Sequence, residues 1–151
     1  MKHRKEHRMK LLKINLIIAL VLFFAGNIYP QNGWGPGSKY NRMYDVNTVE
    51  TINGMVISID QISHGNRMSN GIHLQLSTKS GNITVHLGPS WYIDNQDVLI
   101  NKNDDVTVTG SRVNYEGEMV IIAKELIKGD QILTLRDDKG YPYWAGWRKR
   151  N

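Results

Sequence analysis

The chain has 151 residues, a length that fits one domain with a modest core. It contains no cysteine, which excludes disulfides, thiol nucleophiles, iron–sulfur clusters, lipid attachment on cysteine and covalently bound c-type haem. The formal charge of +5 belongs to the first 30 residues, and the rest of the chain is formally neutral.

The N-terminal segment joins a charged stretch, MKHRKEHRMKLLK, to an apolar run from Ile14 to Gly26. This run is shorter than the ~20 residues of a transmembrane helix and has the length of the apolar region of a secretory signal. We therefore predict that residues 1–30 are an export signal. An N-terminal membrane anchor is the alternative, because NIYPQN lacks a small-x-small cleavage site. Both interpretations place the domain in the periplasm or outside the cell, and the second holds it at the inner membrane.

Residues 31–48 are rich in Gly, Asn and Pro and show no periodicity, which is typical of a linker or an arm. The segment contains Trp34, Tyr40 and Tyr44, and aromatic side chains gain most free energy when they pack on another surface. We predict that this arm packs on the surface of the domain. An arm that binds a ligand is the alternative.

From Val49 the chain reads as a series of short strands over residues 49–136, five main strands and a short sixth. Gly54 interrupts the first strand and predicts a bulge or a sharp bend there. The strand sequences are VETINGMVISID, GIHLQLS, GNITVHL, DDVTVTGSRV, EMVIIAKELI and QILTLRD.

The sequence LGPSWYI breaks the series between the third and fourth strands. Pro89 suits a turn or a first helical position, Ser90 suits a cap, and SWYIDNQ predicts one or two helical turns. We expect Trp91, Tyr92 and Ile93 to plug the open end of a barrel there, with Trp91 buried. A long bent first strand, a hairpin and a helix at this place predict an all-β fold, a five-stranded OB-like Greek-key barrel, preceded by the N-terminal signal or anchor helix. A small β-sandwich and an SH3-like barrel are the alternatives, and neither needs that helix.

Two pieces of sequence, VHLGPSWYI and LRDDKGYPYW, carry a resemblance to a known family. With NGMVISID and GIHLQLST, they make the chain similar, over about residues 34–147, to the small exported bacterial OB-fold domains of the MamS/MamX magnetosome type. The resemblance implies a periplasmic or membrane-anchored accessory domain with no established enzymatic activity. The haem-bearing members have a CxxCH motif that this chain lacks, so the resemblance does not imply electron transfer.

Two histidines fall on one face of the predicted hairpin between the second and third strands. Aliphatic residues alternate along both strands, which leaves His73 and His86 on the solvent-facing side. A turn about Lys79 and Ser80 places the two histidines directly opposite each other. Their Cβ atoms would then be ~5 Å apart, close enough for two imidazoles to share a metal ion.

A metal site needs a further ligand, and His64 in the loop before the second strand, beside Met68, is the candidate. The histidines suit copper, zinc or another borderline metal, and Met68 suits only a softer ion. Surface histidines that hydrogen-bond across the hairpin are the alternative, and the sequence favours it. Our candidate ligand-binding residues are His64, His73, His86, Trp91 and Tyr115, of which the three histidines are the candidate metal ligands.

The sequence contains no HExxH, Walker loop, CxxC or dinucleotide-binding motif, and Ser90 does not lie in a nucleophile elbow. The paired aspartates Asp104–Asp105 and Asp137–Asp138 are typical of turns. We therefore predict no enzymatic activity and no cofactor beyond the copper or zinc ion considered above.

The C-terminal tail, residues 137–151, interleaves aromatic and basic residues in GYPYWAGWRKR, as single-strand binders do. A formally neutral exported domain, however, lacks the basic surface of a nucleic-acid binder. We expect Pro142, Tyr143 and Trp144 to fold back on the barrel, and the terminal cations to stay in solvent near anionic lipid headgroups. The sequence thus favours an exported binding module with an exported or membrane protein partner over the alternative, a nucleic-acid-binding OB-fold protein.

Overall fold

The computed structural model describes residues 33–63 and 69–146. The predicted export segment, the loop residues His64 and Met68 and the basic end of the tail lie outside the described residues. Within the described ranges, no helix is long and apolar enough to cross a membrane.

The described chain is all-β with little helix, as the sequence predicts. Its one α-helical turn lies between the third and fourth strands, where the Gly-Pro break predicts it. The strands are β1 (Val49–Ile62), β2 (Gly71–Thr78), β3 (Gly81–Pro89), β4 (Asp105–Tyr115), β5 (Glu118–Lys128) and β6 (Gln131–Thr134). The helical turn is α1 (Ser90–Ile93), and short 3-10 helices span Asn41–Met43, Val46–Thr48 and Tyr143–Gly146.

The six strands form one sheet in the order β3-β2-β1-β4-β5-β6, and neighbours in this order are antiparallel. β3 also pairs with β5 in parallel, from Thr84 with Val120 to His86 with Ile122. Each of the first five strands therefore pairs with at least two others. The β2–β3 register pairs Leu74 with Val85, as the predicted turn requires.

The long strand β1 is shared between two neighbours, β4 along its first half and β2 along its second. The irregularity that the sequence predicts at Gly54 lies instead between Val56 and Ser58. Gly54 serves a close approach of β2, because a side-chain carbon there would lie 2.8 Å from the carbonyl oxygen of Ser77. The glycine at position 54 is therefore explained by the close approach of β1 and β2, and not by a bulge.

Alternate residues of the strands fill the core, and burial of each large aliphatic side chain stabilises the fold by roughly 1.5–3 kcal/mol. The fully buried aliphatic residues include Val56, Leu74, Leu76, Val85, Leu87, Val108, Ile121 and Leu126.

Of the three residues predicted to plug the barrel, Tyr92 is buried, with its ring 5.6 Å from that of Trp144. The expected burial of Trp91 is wrong, because Trp91, like Ile93, is only partly buried. The reason is the position of the helix start: Pro89 is the extended N-cap, without a side-chain cap bond, and Ser90 is already the first residue of the helix. The single turn that follows directs Tyr92 towards the core.

The arm packs on the domain, as predicted, and so does the tail. Trp34 and Trp144 are both fully buried, their rings meet edge to face at 6.0 Å, and Trp144 Nε1 donates a hydrogen bond of 2.8 Å to the Trp34 carbonyl. Pro142 is also buried, whereas Tyr143, expected to fold back, is 51% exposed. The arm and the tail thus hold each other against the sheet.

Candidate functional site

One face of β2, β3, β5 and β4 carries two histidines and is closed by the arm. Directly paired residues share a face of a sheet, so the pairings place one row of side chains across the four strands. We call this row the histidine face; it consists of His73, His86, Ile122 and Ser111.

The histidine face is buried, which corrects the predicted solvent-facing position of the two histidines. His73 is 8% exposed and His86 is 2% exposed. The physical reason is the arm, because Tyr40 lies over His86 and the Asp45 amide donates a hydrogen bond of 3.0 Å to Ser111 Oγ. A strand pattern reports only which side a residue faces, and the arm covers that side.

The two histidines lie opposite each other, as the register predicts, and their rings stack with centroids 3.7 Å apart and planes 10° apart. His86 Nδ1 lies 3.2 Å from the hydroxyl of Tyr40. The ring of Tyr115 meets His86 edge to face at 5.0 Å and Tyr40 at 5.9 Å. Of the predicted ligand-binding residues, the structure therefore brings together His73, His86 and Tyr115.

The stacking of the His73 and His86 rings determines whether the two imidazoles can share a metal ion. Each imidazole coordinates through a lone pair in its ring plane, with the metal ~2 Å from the nitrogen. In two parallel stacked rings these lone pairs run side by side instead of converging on one ion. Residues 33–63 and 69–146 also contain no group of three His, Asp or Glu side chains placed to hold a metal. Coordination by both His73 and His86 would require one ring to rotate.

Burial keeps the hydroxyl of Tyr40 neutral. Desolvation raises the pKa of Tyr40 far above its usual value, and the nearby cation of Arg136 only partly opposes the shift. A neutral phenol can donate its proton to a ring nitrogen or accept a hydrogen bond from one. The arm is therefore bonded to the histidine face through the neutral hydroxyl of Tyr40.

Our sequence-based predictions did not include a buried cation, yet Arg136 is fully buried. Its Nη1 donates to the carbonyl of Ala123, and its Nη2 donates to Asn41 Oδ1 over 3.2 Å. The guanidinium lies 4.7 Å from the ring of Trp144 and 5.7 Å from that of Tyr44. None of the ion pairs found among the described residues includes Arg136, and burial lowers its pKa.

A charge buried in this way is costly unless other groups solvate it. Here a carbonyl, an amide oxygen and two aromatic faces do so, and they come from β5, the arm and the tail. Arg136 thus joins three parts of the chain. The one local indication in the sequence is that Arg136 follows Leu135 directly at the end of the last predicted strand, QILTLRD.

A polar strip borders the histidine face and runs across β2, β3 and β5. Gln75 Nε2 donates to Thr84 Oγ1 over 2.7 Å, and Thr84 Oγ1 donates to Glu118 Oε1 over 2.8 Å. Glu118 is exposed and pairs across the β4–β5 hairpin with Tyr115, which is partly buried. The polar strip, defined by Gln75, Thr84 and Glu118, therefore ends in a carboxylate at the surface.

The other predicted residues lie elsewhere. The structure places Trp91 on α1, beside Tyr92, with ring centroids 6.3 Å apart. His64 lies outside the described residues. Two open depressions, of about 590 and 380 Å³, meet at Asn53, Thr78 and Lys79, and none of the residues lining them belongs to the histidine face.

The model of the MamS/MamX magnetosome protein family matches residues 48–133, more than half of the chain. No curated protein matches the chain. The matched region runs from the start of β1 almost to the end of β6 and includes the histidine face and the polar strip. Tyr40, which covers His86, and the buried residues Arg136 and Trp144 lie outside the matched region.

Proposed function

Because the chain belongs to the MamS/MamX magnetosome protein family, we propose that it is an exported, non-enzymatic binding module of OB type, held at a membrane by its N-terminal segment. In this proposal the module is an accessory of a periplasmic or membrane assembly. It binds a protein partner of that assembly through the polar strip.

The parallel β3–β5 pairing is the observation that carries the proposal. Together with a first strand shared between β2 and β4, and with α1 between β3 and β4, it supports a closed OB-type barrel. In that fold the face of the second and third strands binds ligands. The arm covers the histidine part of this face, so the polar strip is the part left for a partner.

The chemistry of the polar strip favours a partner with hydrogen-bond donors or a cationic group. Its hydrogen bonds run from Gln75 through Thr84 to Glu118, so the exposed end is an acceptor with negative charge. A peptide segment with a lysine or an arginine side chain fits this end. The carboxylate repels phosphate groups instead.

Nucleic acid is disfavoured as the ligand for two reasons. Trp144, an aromatic residue that could have stacked on a base, is fully buried against Trp34. Glu118 places a negative charge on the face that OB folds use. We expect the full chain to show no binding to single-stranded DNA even at low salt, where phosphate contacts are strongest. Saturable binding that falls steeply with added salt would favour the alternative function.

Site-specific crosslinking tests the proposed partner. A photo-crosslinking amino acid replaces Asn82 in the full chain in its own cells, because Asn82 is exposed and lies two residues from Thr84 on the same face of β3. The same amino acid replaces Asp97, an exposed residue in the loop after α1, as a matched control. We expect one discrete protein adduct from position 82 and none from position 97.

A second comparison tests whether the carboxylate matters. With the crosslinker at position 82, Glu118→Gln should reduce the adduct several-fold, and Asp97→Asn should leave it unchanged. Equal adducts from both crosslinker positions, or an adduct that Glu118→Gln leaves intact, would contradict the proposal.

A further inference from the structure

A groove beside β1 joins the two open depressions described above. It runs between the first half of β1 and the β2–β3 turn, and Asn53, Thr78 and Lys79 line both of its parts. Thr51 and Arg112 line the smaller part, which has a volume of about 380 Å³. We call this surface the edge groove, and it consists of these five residues. None of them belongs to the polar strip, so the edge groove is a separate surface.

The first half of β1 presents an open backbone edge to this groove. The Val56 amide donates to the Asp104 carbonyl over 2.9 Å, so the peptide groups of Val56 face β4. Because peptide groups alternate in direction along a strand, those of Thr51 and Asn53 face away from β4. On that side the pairing of β1 with β2 ends at Met55, and no other strand of residues 33–63 and 69–146 pairs with β1 there.

An open edge of this kind is a template for an added strand, because each amide and carbonyl that faces outwards can bond to an extended chain. Along β1, Ile52 alternates with Thr51 and Asn53, and its own peptide groups serve the pairing with β4. An extended segment laid beside β1 can therefore bond to both the amide and the carbonyl of Thr51 and of Asn53. Such main-chain bonds place no demand on the side chains of the partner.

Charges around the edge groove favour a carboxylate at one end. Lys79 and Arg112 line the smaller part, where none of the described lining residues is acidic, and Asp105 lines only the larger part. Nε and Nη2 of Arg112 both donate to Glu50 Oε1. Among the described residues, Arg112 Nη1 and the Lys79 ammonium have no hydrogen-bond acceptor, and Lys79 is in no ion pair. The end of the groove at Arg112 is therefore cationic, with donors directed to a ligand.

We propose that the edge groove binds an extended acidic segment of a partner protein as an added strand on β1. The backbone of the segment pairs with Thr51 and Asn53, and one of its carboxylates binds Arg112 and Lys79. Arg112 suits this role, because a planar guanidinium can hold Glu50 on one edge and a second carboxylate on the other. This partner is opposite in charge to the one proposed for the polar strip, and the inference does not depend on that proposal.

Amide hydrogen exchange on the full chain, followed by NMR, tests the strand pairing. In the free chain, we expect the amides of Thr51 and Asn53 to exchange much faster than those of Ile52 and Gly54, which face β4. The probe is a short peptide of alternating valine and glutamate with blocked ends. At ~10 times its Kd, this peptide should slow exchange at Thr51 and Asn53 about tenfold. Exchange at Ile52 and Gly54 should stay unchanged.

Fluorescence anisotropy of the labelled peptide tests the charges. Lys79→Gln and Arg112→Gln should each weaken binding about threefold, the effect of one exposed ion pair, and together about tenfold. Lys102→Gln removes an exposed cation from the loop before β4 and is the matched control, which should change nothing. Because Arg112 also bonds to Glu50, urea denaturation should establish that its variant is folded. Lys79→Gln, at the exposed turn, tests the charge without that complication.

Two further probes decide what the groove recognises. The same peptide with glutamine in place of glutamate should bind about tenfold more weakly, and the same peptide with methylated backbone amides should not protect Thr51 or Asn53. No saturable binding of the glutamate peptide, or equal binding of the glutamine peptide, would overturn the acidic partner. Binding that leaves exchange at Thr51 and Asn53 unchanged, or that the double substitution of Lys79 and Arg112 leaves intact, would overturn the assignment to the edge groove.

Discussion

Arg136 shows how a single residue organises the closure of the histidine face. In place of water, a carbonyl, an amide oxygen and the rings of Trp144 and Tyr44 surround its guanidinium. A lysine could not reproduce this arrangement, because the planar guanidinium donates in several directions and stacks on aromatic rings. Arg136 is therefore a structural cation rather than a ligand-binding one.

Substitution of Arg136 should destabilise the fold according to the volume removed. Arg136→Met keeps most of the packing but leaves two buried acceptors without a donor, and we expect a loss of about 1–3 kcal/mol in the free energy of unfolding. Arg136→Ala adds a cavity and should cost about 3–5 kcal/mol. Urea denaturation measures both values. Wild-type stability of the alanine variant would show that the guanidinium does not hold the arm.

Tyr40 decides whether the histidines can bind a metal. In the wild-type chain we expect no saturable binding of Cu(II) or Zn(II) at neutral pH, because His73 and His86 are stacked and covered. Tyr40→Ala should uncover His86 and allow a ring to rotate, so that calorimetric titration detects binding that weakens below pH ~6.5.

The control for this experiment adds His73→Gln and His86→Gln to the Tyr40→Ala chain, which should remove the binding. Saturable binding by the wild-type chain, lost in the double histidine variant without the Tyr40 change, would show that the covered pair is already competent.

Among the elements, the strands follow from the sequence and the arm does not. Alternation predicts the strands closely, and the turn about Lys79 and Ser80 fixes the register that pairs His73 with His86. These are local signals within about 20 residues of each other. The closure of the histidine face joins Tyr40 to His86 and Asn41 to Arg136, contacts 46 and 95 residues apart. No local pattern reports such contacts.

The same limit explains α1. The Gly-Pro break predicts the position of α1. Which of its residues is buried depends on the contact with the ring of Trp144, which is distant in sequence. The sequence therefore supports the place of the helix and not its inward face.

Three of the four tryptophans, Trp34, Trp91 and Trp144, should differ in their contribution to stability because of the contact between the arm and the tail. Trp34→Ala and Trp144→Ala each remove a fully buried side chain and should cost about 3–5 kcal/mol. Trp91→Ala should cost less than half of that, because Trp91 is only partly buried. A double-mutant cycle between Trp34 and Trp144 should give a coupling of about 0.5–1.5 kcal/mol. Equal losses at all three positions in urea denaturation would contradict this ranking.

Across the whole molecule, buried phenols make the fold sensitive to alkali. Desolvation raises the pKa values of Tyr40, Tyr44, Tyr92 and Tyr115 above their usual value of 10.0. A folded-state pKa above the unfolded one means that the stabilisation is fully present below pH ~10 and is lost as the pH rises towards the folded-state value. The chain should therefore unfold cooperatively in alkali, as tyrosinate absorbance and circular dichroism would record.

Tyr40→Phe should move this alkaline transition to higher pH, because the most strongly shifted phenol is removed. Tyr141→Phe removes an exposed phenol and serves as the control, which should leave the midpoint unchanged. A midpoint that Tyr40→Phe does not move would show that other groups govern alkaline unfolding.

The hydrogen bond between Trp144 and Trp34 also means that the chain enters and leaves the domain at one point. Domains with adjacent ends tolerate insertion into a loop of another protein, because the host chain needs no long detour to accommodate them. This module could thus be carried within a larger polypeptide as readily as at its end. A circular permutant that joins the two ends with a short linker and opens the chain at the exposed β2–β3 turn should keep the same sheet.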